Sequence, residues 1–409
     1  MSRLATRLVE ANEALPSDER LPGLSRLFET EWVWKSFCDC YGRPEDEPDQ
    51  VRLTQLRYEP GVRVLASYSL DRSWGRWVVE DEFAIELRVG RPERLFRYPD
   101  DPYLPGLAQV ASATETHELL SKHVGLHAHR VDVEVIRYRP ATRAVLRHTV
   151  DWRRGKKMAL YVRVLPPGRV GRVREAARLA SFSGFHVAEL VASLPESGVL
   201  WLAGVPGSTV RTLIRAGTPP GPDAILDGLA PLWSAPVPER ADHSMDVGEG
   251  FRWTRGLLAR TALDEGVQGL LGQVTAVLEP FAEAWRPTVV AHNDFYDDQL
   301  LLTPSGRLAL VDFEEVGPGD PMLDVGTFLA HLRWMMGSSS TAKACGGYRQ
   351  RLREAALARF GWREDEFALR EAYALFRLSS NAVRQIRPGW QREVERGLRL
   401  TLEAVQETG

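Results

Sequence analysis

The stretch VVAHNDFYDDQLLLTPSGRLALVDFEE, residues 289–315, decides how this chain is read. It sets acids, amides and a histidine between aliphatic runs that read as buried strands. Solvated loops gather charge at little cost, but these polar residues are pinned at both ends by apolar chain. Residues 288–291 form a short apolar run leading into His292. Residues 300–302, the turn Pro304-Ser305-Gly306 and residues 308–313 read as a β-hairpin. Asp294 lies in the loop before the hairpin, Gln299 at its entry and Asp312 at the end of its second strand. Folding the hairpin back brings Gln299 and Asp312 near one another, with Asp294 beside them. Two carboxylates and an amide oxygen at strand ends suit a hard, oxygen-liganded cation such as magnesium. They do not suit zinc, because no cysteine or clustered histidine joins them.

Phosphoryl transfer needs such a set. One carboxylate orients the attacking hydroxyl, while a second and a side-chain amide hold the metals that bridge the nucleotide phosphates. The kinase signature places its amide five residues after the catalytic Asp and its metal Asp beyond a hairpin. Asp294, Gln299 and Asp312 follow that order, and His292 stands two residues ahead of Asp294.

On these residues the chain resembles the aminoglycoside phosphotransferase-like kinases, a family of sugar, choline and antibiotic kinases with a protein-kinase-like fold. GDPMLDVGTFLA resembles the family's helix start after the metal Asp, and LAPLWSAPVP a helix end that members often carry. LWLAGVPGSTV resembles the interlobe hinge, and RYRPATRAVLRH the hairpin that covers phosphates. The resemblance covers roughly residues 131–396. It implies Asp294 as catalytic base, His292 as the loop's structural anchor, and Gln299 and Asp312 as magnesium ligands. ATP would lie against Thr142 and Arg143 of the hairpin and the hinge backbone at Leu202 and Gly204. Asp324 would stabilise the loop from a helix start, where a plain helix cap would stand in the same place.

Two positions depart from the family pattern. The amide is Gln299 rather than Asn, one methylene longer. The strand lysine that pairs nucleotide phosphates is replaced by Arg163, with Glu175 as its expected helix partner; a solvated pair on the helix surface is the other reading of Glu175. A pseudokinase that binds nucleotide or a partner without turnover is therefore a second reading. A peptide Ser/Thr kinase is a third, because some relatives act on peptides.

The rest of the chain limits the alternatives. Its 409 residues, 44% hydrophobic and 26% charged, read as two or three globular domains. Net charge is −3 with the signs mixed, which gives no basic face for nucleic acid and no polybasic membrane patch. Three cysteines are too few for a disulfide framework, and no run of eighteen apolar residues marks a span. The expected setting is the cytoplasm. His123, His127 and His129 lack acids or cysteines around them and read as surface linker.

Along the chain, residues 1–40 read as helical, residues 51–97 as strands, and residues 97–107 as a proline-punctuated linker. A second hairpin spans residues 131–150, and the remainder turns largely helical. Arg57-Tyr58-Glu59-Pro60 and Arg137-Tyr138-Arg139-Pro140 share a motif 80 residues apart, through common ancestry or through proline-turn chemistry alone. The expectation is an α+β, kinase-like bilobal fold. Residues 1–112 would form a cap like that of sugar kinases, packed on the nucleotide lobe. Residues 113–205 would form that lobe and the hinge, and residues 206–409 the helical C-lobe. The acceptor would be the hydroxyl of a small molecule such as a sugar or an aminoglycoside.

Overall fold

The structure, a computed structural model, describes residues 18–42, 50–74, 77–153, 156–238, 245–261, 263–337, 341–385 and 389–407. The start of the expected N-terminal helix, residues 1–17, lies outside them.

Alternating apolar residues around a proline turn build the first sheet. Helix α1 (Thr30–Tyr41) precedes β1 (Gln50–Glu59), β2 (Arg63–Trp74), β3 (Trp77–Arg88) and β4 (Arg94–Arg97), antiparallel in that order. Val64, Ala66, Tyr68 and Leu70 of β2 point to one face and enter the core.

A second unit repeats this plan. Helices α2 (Leu107–Ala111) and α3 (Ala113–Leu119) precede β5 (Arg130–Arg139), β6 (Arg143–Arg153) and β7 (Lys156–Val164). Helix α4 (Val170–Ala180) follows, then β8 (His186–Val187), β9 (Leu190–Leu194) and β10 (Val199–Ala203); the sheet order is β5-β6-β7-β10-β9.

Both units carry the same fixing device. Tyr58 Oη and the Gly61 N–H donate to Asp18 Oδ2 at 3.0 and 2.6 Å. Tyr138 Oη and the Ala141 N–H donate to Asp101 Oδ2 at 3.0 and 2.8 Å. Each aspartate opens the same phrase, Asp-x-x-Leu-Pro-Gly-Leu, at Asp18 and at Asp101. A proline turn has no need of an aspartate 40 or 37 residues upstream. The shared motif is therefore the trace of an internal duplication. The stretch expected as a linker belongs to the second unit, since Asp101, Leu104 and Leu107 are buried there. Replacing Asp101 with Ala leaves three donors without their acceptor, the buried Tyr138 hydroxyl and the N–H groups of Ala141 and Tyr103. It should cost ~2–4 kcal/mol, read as a lower denaturant midpoint than the parent's.

The helical half begins with β11 (Ser208–Thr209), α5 (Val210–Ala216), α6 (Pro222–Trp233), α7 (Val247–Ala259) and α8 (Glu265–Ala284). Strands β12 (Val289–Ala291), β13 (Leu300–Leu302), β14 (Leu308–Leu310) and β15 (Gly317–Gly319) then frame the decisive loop. Helices α9 (Pro321–Met335), α10 (Ala342–Phe360), α11 (Glu364–Gln385) and α12 (Trp390–Gln406) complete the chain. The α+β class, strands first and helices after, is as expected. No helix among the described residues is long and apolar enough to cross a membrane.

The first sheet sits differently from expectation. Val33, Phe37, Tyr58, Val64 and Tyr68 share one apolar cluster with Phe251, Leu278, Tyr373, Phe376 and Trp390 of the C-terminal helices. β1 packs on α11. Toward the second unit the contacts from β1 are polar: Gln55 Nε2 donates to Tyr138 O at 2.8 Å, and Arg57 to the Thr142 hydroxyl. The apolar face of the sheet follows the larger apolar wall, which the helices supply.

Candidate active site

Two backbone amides and a buried acid shape the loop after β12. Asp320 is the cap of α9, its Oδ1 accepting from the Met322 N–H at 2.9 Å. Asp324, one turn further in, accepts instead from the N–H groups of His292 and Asn293, each at 2.8 Å. Trp233 Nε1 donates to it as well, at 3.0 Å. Asp324 therefore holds the loop, and the plain-cap reading belongs to Asp320. Burial pushes the Asp324 carboxyl up to about 7 in spite of its three donors. Asn293 stands at φ 67°, the left-handed region that asparagine tolerates, and its Nδ2 donates to Glu315 O at 2.9 Å.

His292 is a tie between segments. Its Nε2 lies 2.6 Å from the Asp312 carbonyl, which can only accept, so the proton sits on Nε2. Burial lowers its pKa to about 4, so the ring is neutral near neutrality, its one proton engaged with the Asp312 carbonyl. The ring thus joins the loop after β12 to the segment after β14.

The tie brings Asp294, Gln299 and Asp312 together. Gln299 is buried and its Nε2 lies 3.5 Å from Asp294 Oδ2, while its Oε1 faces the Tyr296 N–H at 3.4 Å. Burial pushes the Asp294 carboxyl up to about 6; Arg377 and Arg143 pull it down, and the charge on Asp312 pushes it further up.

Arginines flank Asp312. Arg163 Nη1 donates to Asp312 Oδ1 at 3.1 Å and to Glu314 Oε1 at 2.5 Å, and Nη2 to Val311 O at 2.7 Å. Arg143 Nη1 lies 3.9 Å from Asp312 Oδ2. Burial alone would raise the Asp312 carboxyl, but Arg163 and Arg143 outweigh it and hold the group below its ordinary value.

Magnesium fits this set as an ion carried on a polyphosphate. Asp312 Oδ2 accepts no hydrogen bond from the described residues, and Gln299 Oε1 makes only the one long contact. Two protein oxygens, with phosphates and water completing the shell, are what magnesium usually takes. Among the described residues no group of three or more His, Cys, Asp or Glu would hold a metal unaided.

Three expectations need correction or refinement. Glu175 does not meet Arg163: it is exposed and pairs with Arg178 on its own helix, Nη2 to Oε1 at 2.6 Å. α4 turns that face outward, and Glu314 supplies the carboxylate instead. At the hinge, the Gly204 N–H is already spent on Ala159 O at 2.9 Å, and that of Ala203 on Glu189 O at 2.8 Å. A side chain at Gly204 would sit 2.8 Å from Ala159 O, so glycine lets the pairing run one residue past Leu202, which is buried in β10. The first hinge amide without an acceptor among the described residues is Val205. Thr142 does stand on the turn, with its hydroxyl bonded to Arg57 and to Pro140 O.

Other site residues went unread in the sequence. Tyr296 stacks on His331 with ring centroids 4.2 Å apart. Asp297 is fully buried and gripped by Arg211 at 3.0 and 3.1 Å. Both Tyr296 and Asp297 lie inside the loop already singled out, where a buried acid needs a cation. Arg377 left no signal, since it comes from a helix remote in sequence.

The family model described as APH, phosphotransferase enzyme family, matches residues 141–368. Among solved structures, choline kinase LicA from Streptococcus pneumoniae is 13% identical, with 72% of this chain and 98% of that chain covered at a TM-score of 0.49. A choline/ethanolamine kinase family protein from Mesorhizobium loti is 16% identical, covering 72% and 96% at 0.49. Spectinomycin phosphotransferase APH(9)-Ia, solved with ADP and spectinomycin, is 12% identical, covering 73% and 98% at 0.45. No curated protein matches the chain.

Proposed function

The chain belongs to the APH phosphotransferase enzyme family, and from that premise we propose that it moves the γ-phosphoryl group of ATP to a hydroxyl of a small molecule in the cytoplasm. The observation that carries this is the loop after β12, where Asp324 and His292 hold Asp294 beside Gln299 and Asp312. Asp294 takes the acceptor proton and aims the oxygen at phosphorus. Arg143 and Thr142 close over the phosphates from the β5–β6 turn, and the Val205 N–H meets the base at the hinge. Gln299 and Asp312 would hold magnesium, which when bound offsets phosphate charge. Gln299 Oε1 must turn from Tyr296 to reach it. The rate then comes from positioning and charge, since the protein makes and breaks few bonds itself. In domain terms we place the first boundary ahead of Asp101, where the second unit starts, with the hinge ending near residue 205.

One observation favours a second reading. Arg163 spans Asp312 and Glu314 and so competes with a metal for the same carboxylate. A pseudokinase would keep that bridge closed. Thermal-shift titration with ATP and magnesium, followed by an ATP-consumption screen over hydroxylated small molecules, separates the two. Binding with turnover supports the enzyme, and binding without turnover over the whole screen supports the pseudokinase. No binding ends both.

The pH profile is a further test. Because burial lifts Asp294 to about 6, the ionised base is lost as pH falls through that value. Turnover should rise with pH to a plateau above about 6. An acid limb near 4, the ordinary aspartate range, would mean that the base is not held at the raised value in the working enzyme.

A further inference from the structure

Between Asp294 and Gln299 the loop runs through four residues, and each is held from outside. Phe295 is buried, its ring 5.3 Å from that of His292, 5.9 Å from Phe185 and 5.5 Å from Phe328. Tyr296 stacks on His331 of α9. The other holds come from one side chain, Arg211 of α5. Its Nε and Nη2 fork to Asp297 Oδ2 and Oδ1 at 3.0 and 3.1 Å, and Nη1 donates to Asp298 Oδ2 at 3.2 Å. Its Cζ lies over the Tyr296 ring, 5.7 Å from the centroid. The Arg211 backbone N–H donates to Asp297 O at 3.1 Å as well. Asp297 is fully buried, and among the described residues its ion pair is with Arg211 alone.

Gln299 is held differently. Its N–H donates to Tyr296 O and its carbonyl accepts from the Val311 N–H, both at 3.1 Å. Its side chain makes only the two long contacts, 3.4 Å from the Tyr296 N–H and 3.5 Å from Asp294 Oδ2. Where so long an amide can reach is therefore set by where residues 296–298 hold its backbone.

Arg211 acts on that loop from the segment that leaves the hinge. β11 pairs with β13, Ser208 opposite Leu302 and Thr209 opposite Leu301. A side chain at Gly207 would sit 2.7 Å from Leu302 O, so glycine lets this segment lie flush on the hairpin. The Thr209 hydroxyl then caps α5 through the Thr212 N–H at 3.1 Å, which fixes the turn from which Arg211 reaches out. A planar fork matches a carboxylate in a way that an ammonium cannot.

We propose, resting on the phosphotransferase reading above, that Arg211 is a positioning residue for the metal: it locks residues 296–298 so that the Gln299 oxygen meets magnesium in spite of its extra methylene. In this role it touches neither nucleotide nor acceptor. Groups that orient a metal ligand from behind are worth roughly 10- to 100-fold in metal affinity. A pair that served stability alone would leave magnesium's part in nucleotide binding unchanged.

Isothermal titration of the full chain with AMP-PNP, once with magnesium and once with EDTA, tests this. In the parent, magnesium should tighten AMP-PNP. Arg211→Lys keeps a charge beside Asp297 but loses the fork; it also keeps the backbone bond to Asp297 O and the β11–β13 pairing. Its AMP-PNP affinity in EDTA should match the parent's, while the tightening by magnesium shrinks about tenfold. Arg211→Gln combined with Asp297→Asn, which leaves no charge buried, should shrink it too. Gln299→Ala should lose the tightening, and adding Arg211→Lys to it should cost nothing more, because both act through one ligand. Undiminished tightening in Arg211→Lys, an equal loss with and without magnesium, or a loss that adds to that of Gln299→Ala overturns the proposal. AMP-PNP binding by the parent in the same series then leaves the phosphotransferase reading standing. A parent that does not bind AMP-PNP ends that reading and this proposal with it.

Discussion

Asp294→Asn is expected to abolish turnover and to leave ATP bound. A positioned base contributes roughly 100- to 10,000-fold, and an amide of the same shape cannot accept the proton. The substitution keeps a group for Gln299 Nε2 to meet, so the loop should hold its form. Stability separates this from simple unfolding. The folded Asp294 carboxyl, raised to about 6, binds its proton more tightly than the unfolded chain does. The parent therefore loses more stability than the Asn variant as pH rises from the ordinary aspartate range to about 6, since Asp324 still titrates upward in the variant and Asp294 does not. Above pH 6 the variant should be at least as stable as the parent while inactive. Pre-steady-state phosphoryl transfer and unfolding curves at two pH values read both. Turnover within a few-fold of the parent's would mean that the proton goes elsewhere.

Arg163→Met should be the most damaging change outside the loop. Arg163 is 11% exposed, and it neutralises Asp312 and Glu314 together while satisfying Val311 O. Methionine fills the space but leaves two carboxylates facing each other, a loss of ~3–5 kcal/mol for a broken buried pair. Adding Glu314→Gln to that background should recover part of it, because the repulsion goes. Arg163→Lys should fall between, since an ammonium cannot fork to two carboxylates and a carbonyl. Denaturant unfolding of the four proteins gives the answer. A loss below about 1 kcal/mol for Met would rank the bridge with ordinary surface pairs.

What could be read from the sequence was what hairpin geometry fixes locally. The spacing of His292, Asp294, Gln299 and Asp312 is set by a loop and a two-stranded turn, so one dimension suffices to predict their meeting. Arg163 drew notice as an arginine inside an apolar strand, but the sequence paired it with Glu175 and not with Asp312 and Glu314. Glu175 was not, because the sequence gives the buried face of α4 but not which neighbour its outer face meets. The spent amide of Gly204 depends on where a sheet stops pairing, which side-chain patterns do not record. Arg377 sits on a helix whose periodicity tells inside from outside, not cleft from open surface. The Asp18 and Asp101 phrases were in plain sight, but Pro-Gly reads as loop punctuation until the tyrosine contacts are seen.

The polar seam between β1 and the β5–β6 turn bears on the enzyme's pace. The N-terminal sheet is fused to the helices by a continuous apolar core, so it travels with them as one body. If a spent nucleotide departs by swinging the β5–β6 turn, the turn moves away from that body. It then has to part Gln55 from the Tyr138 carbonyl and Arg57 from the Thr142 hydroxyl. Product departure limits many enzymes of this kind. Together with Leu65, Ala84 and Phe96, which pack on Ala141 of that turn and on Tyr103, those contacts would form a latch on the exit, and loosening it should quicken release before it touches the chemistry.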